Sequence, residues 1–488
     1  MFTLSQNINP NKIFIINRSE LEDRIDPLYY SSELNKFNSG IFQSVSLKSV
    51  IKNLKSGIGA GKQDQSDETN GIIQIRPTNI DENGFLKFDK NIYIPKNDEI
   101  IKLEIDDVLF NNTNSQELVG KTAILKESRE LSCSNHITRI RVCKNIIIPD
   151  YLWIILNIYQ KNKIFYSICT NWNNQSGVGI DLLKSIKIPL PPLEIQQQIV
   201  NIYQAAYQQK QQKETQAQAL LASIDDYLLG ELGITMPAEN IVYEPVDFHG
   251  FELNKHNPLV KNGRLFLTGF REIGGGRFDP EYYSISNKNN EIAIKQSKFP
   301  LQKISNHCVF QAGYAFKSED YVNESDCRLI TIKNISKNTI FLNDCVYLPN
   351  DYYTLFEKFQ IRKDDLLIAM TGATIGKVGI YENDKKALLN QRNGIIRSST
   401  INTFWLMNLL NTELYQSLII RNAVGGAQPN ISETNITKLY IPFPPIEKQN
   451  EIALHISEIR KQAKCLQVEA VKILENAKQK IEQMILGE

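Results

Sequence analysis

The sequence has little that would tie it to a metal, a membrane or a redox reaction. Its seven cysteines are scattered and form no CxxC pair, so the spacing indicates neither a zinc site nor a disulfide framework. Reduced thiols in a cytoplasmic protein are the expectation. His249 and His256 bracket Glu252 but not at HExxH spacing, which removes a zinc-protease reading. No apolar run approaches the ~20 residues that a membrane span needs, and the opening MFTLSQNINPNK lacks the apolar core of a signal peptide. Net charge is only +1 over 488 residues, so any affinity for nucleic acid must come from local patches or from a partner.

Catalytic signatures are equally scarce. Two Gly-Lys stretches, Gly57–Lys62 (GIGAGK) and Gly372–Lys377 (GATIGK), have three residues between the glycines where a phosphate loop has four. Both also lack the Ser or Thr that would hold magnesium. There is no GxSxG elbow and no dinucleotide-binding glycine fingerprint after a strand. The Asn-Pro-Pro-Tyr and Asp-Pro-Pro-Tyr loops that DNA amino-methyltransferases use on a flipped base are missing too. The Asp-Asp pairs 106–107 and 364–365 stand before apolar runs and read as turns at strand entries rather than as a nuclease metal site. The chain is expected to be non-catalytic, with no metal and no cofactor of its own.

What is present is a repeat. Ile188–Gln198 (IPLPPLEIQQQ) returns as Ile441–Glu451 (IPFPPIEKQNE), and Arg24–Tyr30 (RIDPLYY) returns as Arg277–Tyr283 (RFDPEYY). The distance from Arg24 to Pro192 is 168 positions, and so is that from Arg277 to Pro445. Three weaker matches lie between in the same order: Ile75–Ile80 with Ile330–Ile335, Asp106–Phe110 with Asp364–Ile368, and Gly120–Ile124 with Gly376–Ile380. A period of about 253 residues means a duplicated domain and not a solenoid.

Each half opens with a short strand, 12–16 (KIFII) and 264–267 (RLFL), followed by β-type runs broken by Gly, Asn and Asp. Helices are expected over Pro149–Lys161 and Asn402–Leu418, anchored in the core by Trp153 and Trp405. The Pro-Pro pairs fit a helix start, where a missing N–H costs nothing. After the second pair, Ile452, Ile456, Ile459, Ala463, Leu466, Ala470, Ile473 and Ala477 step by 4 and 3, a coiled-coil seam. Ile195, Ile199, Ile202, Ala206, Leu220, Ile224 and Tyr227 keep phase in the first helix, whose end is marked by Gly230 and Gly233. A helix over 193–230 would span ~57 Å and cannot bury its stripe alone.

The expected architecture is α+β: two repeated β-rich domains, 1–192 and 236–445, separated by two long helices, 193–235 and 446–488, that pair as an antiparallel coiled coil. The domains each carry 23 basic and 21 acidic residues, while the first helix has net charge −3 and the second zero. Recognition remains as the task of the loops. In the first half Lys62, Gln63, Arg76, Asn79, Lys121, His136, Arg139 and Arg141 fall near them, and in the second Lys317, Lys333, Asn334, Lys377, Gln391, Arg392, Arg397 and Gln428. Arg and Lys suit guanine edges and phosphates, Asn and Gln suit adenine. A non-catalytic scaffold, whose coiled coil and paired domains bind proteins, is the competing reading.

With the two IPxPPxxxQ blocks, Gly313–Ser318 (GYAFKS), Thr371–Ile380 (TGATIGKVGI) and Ile224–Ile234 (IDDYLLGELGI), the chain resembles the specificity subunit of type I restriction–modification enzymes over essentially its whole length. In the first half Gly57–Gln63 and Gly120–Ile124 are looser versions of the pattern. The resemblance implies two target-recognition domains reading the halves of a split double-stranded DNA target. It implies helices that act as a ruler and dock two modification subunits, which carry S-adenosylmethionine and methylate adenine. A restriction subunit, the motor–nuclease, joins and uses ATP with magnesium. A turn of B-DNA is ~34 Å, so helices of this length suit half-sites about a turn apart.

Overall fold

The structure is a computed structural model. It describes residues 40–96, 100–172, 175–236, 280–423 and 430–487, with the isolated residues 15, 18, 37 and 273. The opening strands expected at 12–16, apart from Ile15, and at 264–267, most of the RxDPxYY repeat and Gln428 lie outside the described residues. The chain divides into two compact units, residues 1–214 with 467–488, and residues 215–466.

The first unit holds strands β1 (Ser44–Ser46), β2 (Ile51–Ser56), β3 (Gly71–Ile75), β4 (Tyr93–Pro95), β5 (Val108–Asn111), β6 (Thr113–Asn114), β7 (Thr122–Ile124), β8 (Leu131–Cys133) and β9 (Ile137–Val142). Helices α1 (Pro149–Lys161) and α2 (Ile164–Ile168) follow, then β10 (Thr170–Trp172), β11 (Gln175–Gly177), α3 (Ile180–Ser185), β12 (Lys187–Pro189) and the long α4 (Leu193–Glu231). The main sheet is antiparallel, ordered β2-β9-β5-β7. A second sheet, β4-β3-β8, pairs β3 and β8 in parallel. Helix α1 is apolar nearly all round and is buried, with Trp153 donating to the carbonyls of Gly84 and Thr122 at 3.0 Å.

The second unit repeats this order. Strands β13 (Leu301–Lys303), β14 (Val309–Ala312), β15 (Cys327–Ile330), β16 (Ile335–Ser336), β17 (Thr339–Ile340), β18 (Val346–Leu348), β19 (Leu366–Ala369), β20 (Val378–Ile380), β21 (Ala387–Leu389), β22 (Asn393–Arg397) and β23 (Tyr440–Pro442) build the sheets β14-β22-β19-β20 and β18-β15-β21, with β15 and β21 parallel. The helices are α5 (Ile285–Lys295), α6 (Tyr352–Leu355), α7 (Thr403–Leu410), α8 (Glu413–Arg421), α9 (Glu433–Thr437) and the long α10 (Ile446–Leu486). The single helix expected over Asn402–Leu418 is two. Asn411 turns its amide to the backbone of Val378, accepting at 3.1 Å and donating at 2.7 Å, while the hydroxyl of Thr412 accepts from the N–H of Tyr415 and caps α8.

The proline blocks have a physical role in each unit. Gln196 is fully buried; its carbonyl accepts from the N–H of Ile148 at 2.8 Å, and its amide donates to Ile146 and Pro191 at 3.1 and 2.9 Å. Gln449 does the same at the second block, accepting from Asn402 and donating to Pro444, both at 2.9 Å. A buried amide thus ties the first turn of each long helix to the loop before the core helix. Gly233, at φ +71°, ends α4, with the N–H of Ile234 returning to Leu229.

The long helices run antiparallel within each unit. In the first unit Lys213 meets Glu469 at 2.8 Å, and Ile199, Tyr203 and Ala206 share a core with Leu474, Ala477, Ile481 and Ile485. In the second, Tyr227 lies against His455 with ring centroids 4.3 Å apart, and Glu231 meets Lys448 at 2.7 Å. Of the heptad positions, Ile199, Ile224, Ile452, Ile456 and Ile459 are buried, and Ile202, Leu220, Leu466 and Ile473 are half-buried. In the polar middle of α4 two lysines form ion pairs, Lys210 with Glu214 and Lys213 with Glu469. No described helix is long and apolar enough to cross a membrane, and the seven cysteines are free.

Candidate nucleic-acid interface

The strand registers decide which loops meet. Ser56 pairs with Thr138, and Phe110 pairs with both Thr138 and Thr122, so the end of β2, the end of β5 and the starts of β7 and β9 lie at one edge of the main sheet. Three loops therefore converge there: Gly57–Gln63, Gly120–Lys121 and Asn135–His136. The second unit has the same arrangement, with Ala312 opposite Gly394, Ala369 opposite Asn393 and Ile368 opposite Val378. Its loops are Gly313–Ser318, Gly376–Lys377 and Gln391–Arg392. By register, Lys121 corresponds to Lys377 and His136 to Arg392.

Glycine is required where these loops cross the strands. A Cβ at Gly57 would stand 1.9 Å from the carbonyl oxygen of Cys133, and one at Gly313 2.1 Å from that of Asn390. Gly120 and Gly376 adopt φ of +90° and +82°, the left-handed region, and so aim the following lysines. The two Gly-Lys stretches that resembled broken phosphate loops are this crossing loop and this turn.

In the first unit two of these loops, through Lys121 and His136, border a cleft of about 960 Å³. Arg76, Lys87, Lys90, Lys121 and His136 line it, with Asp89 the one carboxylate and Thr113, Asn114, Ser115 and Gln175 as neutral donors and acceptors. Lys87, Lys90 and Lys121 have no carboxylate partner among the described residues. Arg76 is fixed by Gln74 at 3.0 Å and by the carbonyl of Ala60 at 2.9 Å, and its burial pulls its pKa down. The guanidinium stays charged at any physiological pH. Cations with neutral hydrogen-bonding groups between them suit a phosphate backbone and base edges together.

Lys62 and Gln63 are exposed on a short turn and are not part of the cleft lining, and Lys317, Lys333, Gln391 and Arg392 are exposed in the second unit, where Lys377 is half-buried. Three expected contacts are instead interior. Asn79 accepts from the N–H of Arg76 and donates to Lys87, at 3.0 and 3.1 Å; Asn334 accepts from Thr331 and donates to Phe341, at 2.9 and 3.0 Å. Both amides close a turn that neighbouring backbone has already saturated, so neither faces solvent. Arg139, 8% exposed, gives its guanidinium to Asn53 and to the carbonyl of Lys102. Arg141 and Arg397 form two-pronged pairs with Asp107 and Asp365. Those aspartates follow Asp106 and Asp364, which turn the chain at φ +72° and +66° into β5 and β19. The Asp-Asp pairs therefore hold strand entries, and among the described residues no group of three or more His, Cys, Asp or Glu could hold a metal.

Sequence reasoning passed over Lys87, Lys90, Asn114 and Gln175 in the first unit. In the second it passed over Tyr314, 41% exposed, at the tip of an aromatic cluster with Phe316 and Phe356. The one available signal was the basic stretch FLKFDK, Phe85–Lys90, shortly after IRPTN.

The family model described as the type I restriction modification DNA specificity domain matches this chain twice, over residues 42–221 and 308–479. The MjaVIII type I restriction enzyme specificity subunit of Methanocaldococcus jannaschii is 26% identical over 398 residues, 80% of each chain. A putative MjaX specificity subunit of the same organism is 34% identical over 162 residues, 32% of this chain and 37% of that protein. A solved chain from work on complex assembly and conformational transition of the type I R-M system covers 92% of this chain and 97% of its own length, with a TM-score of 0.50 and 16% identity, a likeness of fold.

Proposed function

The chain belongs to the type I restriction–modification DNA specificity family, and from that premise we infer that it reads a split DNA target with the loop edges of its two units. The observation that carries the reading is the repetition of one loop edge in both units: Lys121 and Lys377, each directly after a left-handed glycine, with His136 and Arg392 at the start of the neighbouring strand. Two copies of one reading edge suit two half-sites. Lysines supply sequence-independent phosphate contacts, while Arg392, Gln391 and Gln175 are of the types that hydrogen-bond base edges.

The chain itself does no chemistry in this account. It binds two modification subunits along the long helices and positions them for adenine methylation, with S-adenosylmethionine bound by those partners. Restriction subunits, using ATP and magnesium, complete the assembly in the cytoplasm. The near-neutral net charge of +1 is consistent with tight DNA binding only inside that assembly.

Selection of a randomised duplex library on the complex with its modification subunit tests this. Two short conserved halves separated by an unconserved gap are expected. K121A with H136A should relax one half only, and K377A with R392A the other only. Enrichment of no sequence by an assembled complex contradicts the reading.

A further inference from the structure

The chain has three tryptophans, and two are core anchors: Trp153 is 3% exposed and Trp405 is fully buried. Trp172 is 47% exposed. It sits on β10, the outer strand of the small sheet β10-β11-β6, whose other members help form the cationic cleft of the first unit. An indole left in water forgoes a large burial gain, so its position calls for an occupant.

The register says which way it faces. Trp172 is directly opposite Gln175, and Gly177 is directly opposite Thr113. Residues opposite one another, or two apart on one strand, share a face of a ribbon. Gln175 and Thr113 both line the cleft, and Trp172 shares their face of the ribbon, next to the cleft lining rather than within it. Its ring crosses Gly177, where a Cβ would stand 2.4 Å from the indole Cη2. The glycine is the bed on which the ring lies. The ribbon is also braced below: the hydroxyl of buried Ser176 donates to the side-chain oxygen of Asn171 at 2.5 Å.

We propose that the β10–β11 ribbon is an aromatic arm that packs Trp172 against the bases at one edge of the DNA half-site read by the first unit. This rests on the chain's being a DNA reader. Arg76, Lys87, Lys90 and Lys121 hold the backbone in the cleft, and the indole supplies what cations cannot, an apolar contact with base faces or with a partly opened base step. Stacked and wedged aromatic side chains act in this way in other nucleic-acid complexes. Gln175, on the same face, is placed to hydrogen-bond the neighbouring base pair.

The test uses this chain labelled with 5-hydroxytryptophan, which can be excited selectively in the complex with unlabelled modification subunits. Trp172 is the accessible fluorophore, so acrylamide quenching should be strong in the DNA-free complex and absent in the W172F chain. Target duplex should abolish it. W172A should weaken target binding roughly ten-fold or more, with W172F within about three-fold of the parent chain, and W172F should keep the parental unfolding midpoint, so that a binding loss in W172A is read against any fall in its own midpoint. Target binding at parental affinity by W172A, with quenching unchanged by DNA, overturns the arm and leaves the DNA reading standing. Protection already complete on adding the modification subunit overturns it as well, assigning Trp172 to a protein interface. An assembled complex that binds no DNA sequence overturns the reading on which the arm rests.

Discussion

Replacing Gln196 by alanine should destabilise the first unit more than any exposed polar substitution, although the residue touches no DNA-facing loop. Its side chain is fully buried and makes three hydrogen bonds to backbone groups: the N–H of Ile148 and the carbonyls of Ile146 and Pro191. Truncation leaves all three groups stranded. A buried group left without its partner costs about 1–3 kcal/mol, so even the lower figure gives roughly 3 kcal/mol. For a domain of this size that corresponds to a fall in Tm of about 6–12 °C. Gln449 makes two such bonds, to Asn402 and Pro444, so Q449A should cost the second unit about two-thirds as much. The control is Q197A, one residue on, where the side chain is exposed and bonds only the neighbouring Asn201. Differential scanning calorimetry of the full chain decides. A Q196A midpoint within 1 °C of the parent, or a larger loss in Q449A than in Q196A, refutes the claim that these amides clamp the long helices to their domains.

Three further perturbations probe other parts of the account. K121A and K377A should each weaken DNA binding by the complex without altering the motif, lowering the slope of log affinity against log salt by about one; an unchanged slope removes that lysine from phosphate contact. Burial alone would raise the Asp106 carboxyl, but hydrogen bonds from Lys126 and Lys144 outweigh it and hold the group below the usual carboxylate range. Its stabilisation is therefore present above about pH 4 and lost as pH falls through the folded value. D106N, which keeps the left-handed turn, should be the less stable at pH 7 and equal to the parent at low pH in urea titrations, and a gap that does not change with pH contradicts the pairing. Four residues inserted in phase near Gln211 lengthen α4 by ~6 Å and should widen the unconserved gap of the motif by one or two base pairs; an unchanged gap sinks the ruler.

What could be read from the sequence was local. A Pro-Pro pair followed by apolar residues at steps of 4 and 3 needs no tertiary information to announce a helix and its seam, and α1 spans Pro149–Lys161 as its pattern indicates. Duplication was legible because the same spacing occurs twice. What escaped was set by distant strands. Asn79 and Asn334 look like loop amides until the turns they close are built, and their burial depends on backbone groups up to eleven residues away. The break at Asn411 exists because Val378 claims that side chain. Lys87, Lys121 and Gln175 are dispersed along the chain and share a cleft only through the pairing of β6 with β11 and of the main-sheet strands. The proline-block glutamines carried no visible function in the sequence, since a buried clamp and a solvated amide have the same letter.

The most direct measurement is methylation mapping by single-molecule sequencing in a host that expresses this chain with its modification subunit. The account predicts a new motif of two short halves with a methylated adenine in each, and a change confined to one half when Lys121 and His136 are replaced together. An assembled complex that leaves the genome without new sequence-specific methylation, alongside unaltered adenine methylation by the partner on its own, would contradict the claim that this chain chooses the DNA sequence.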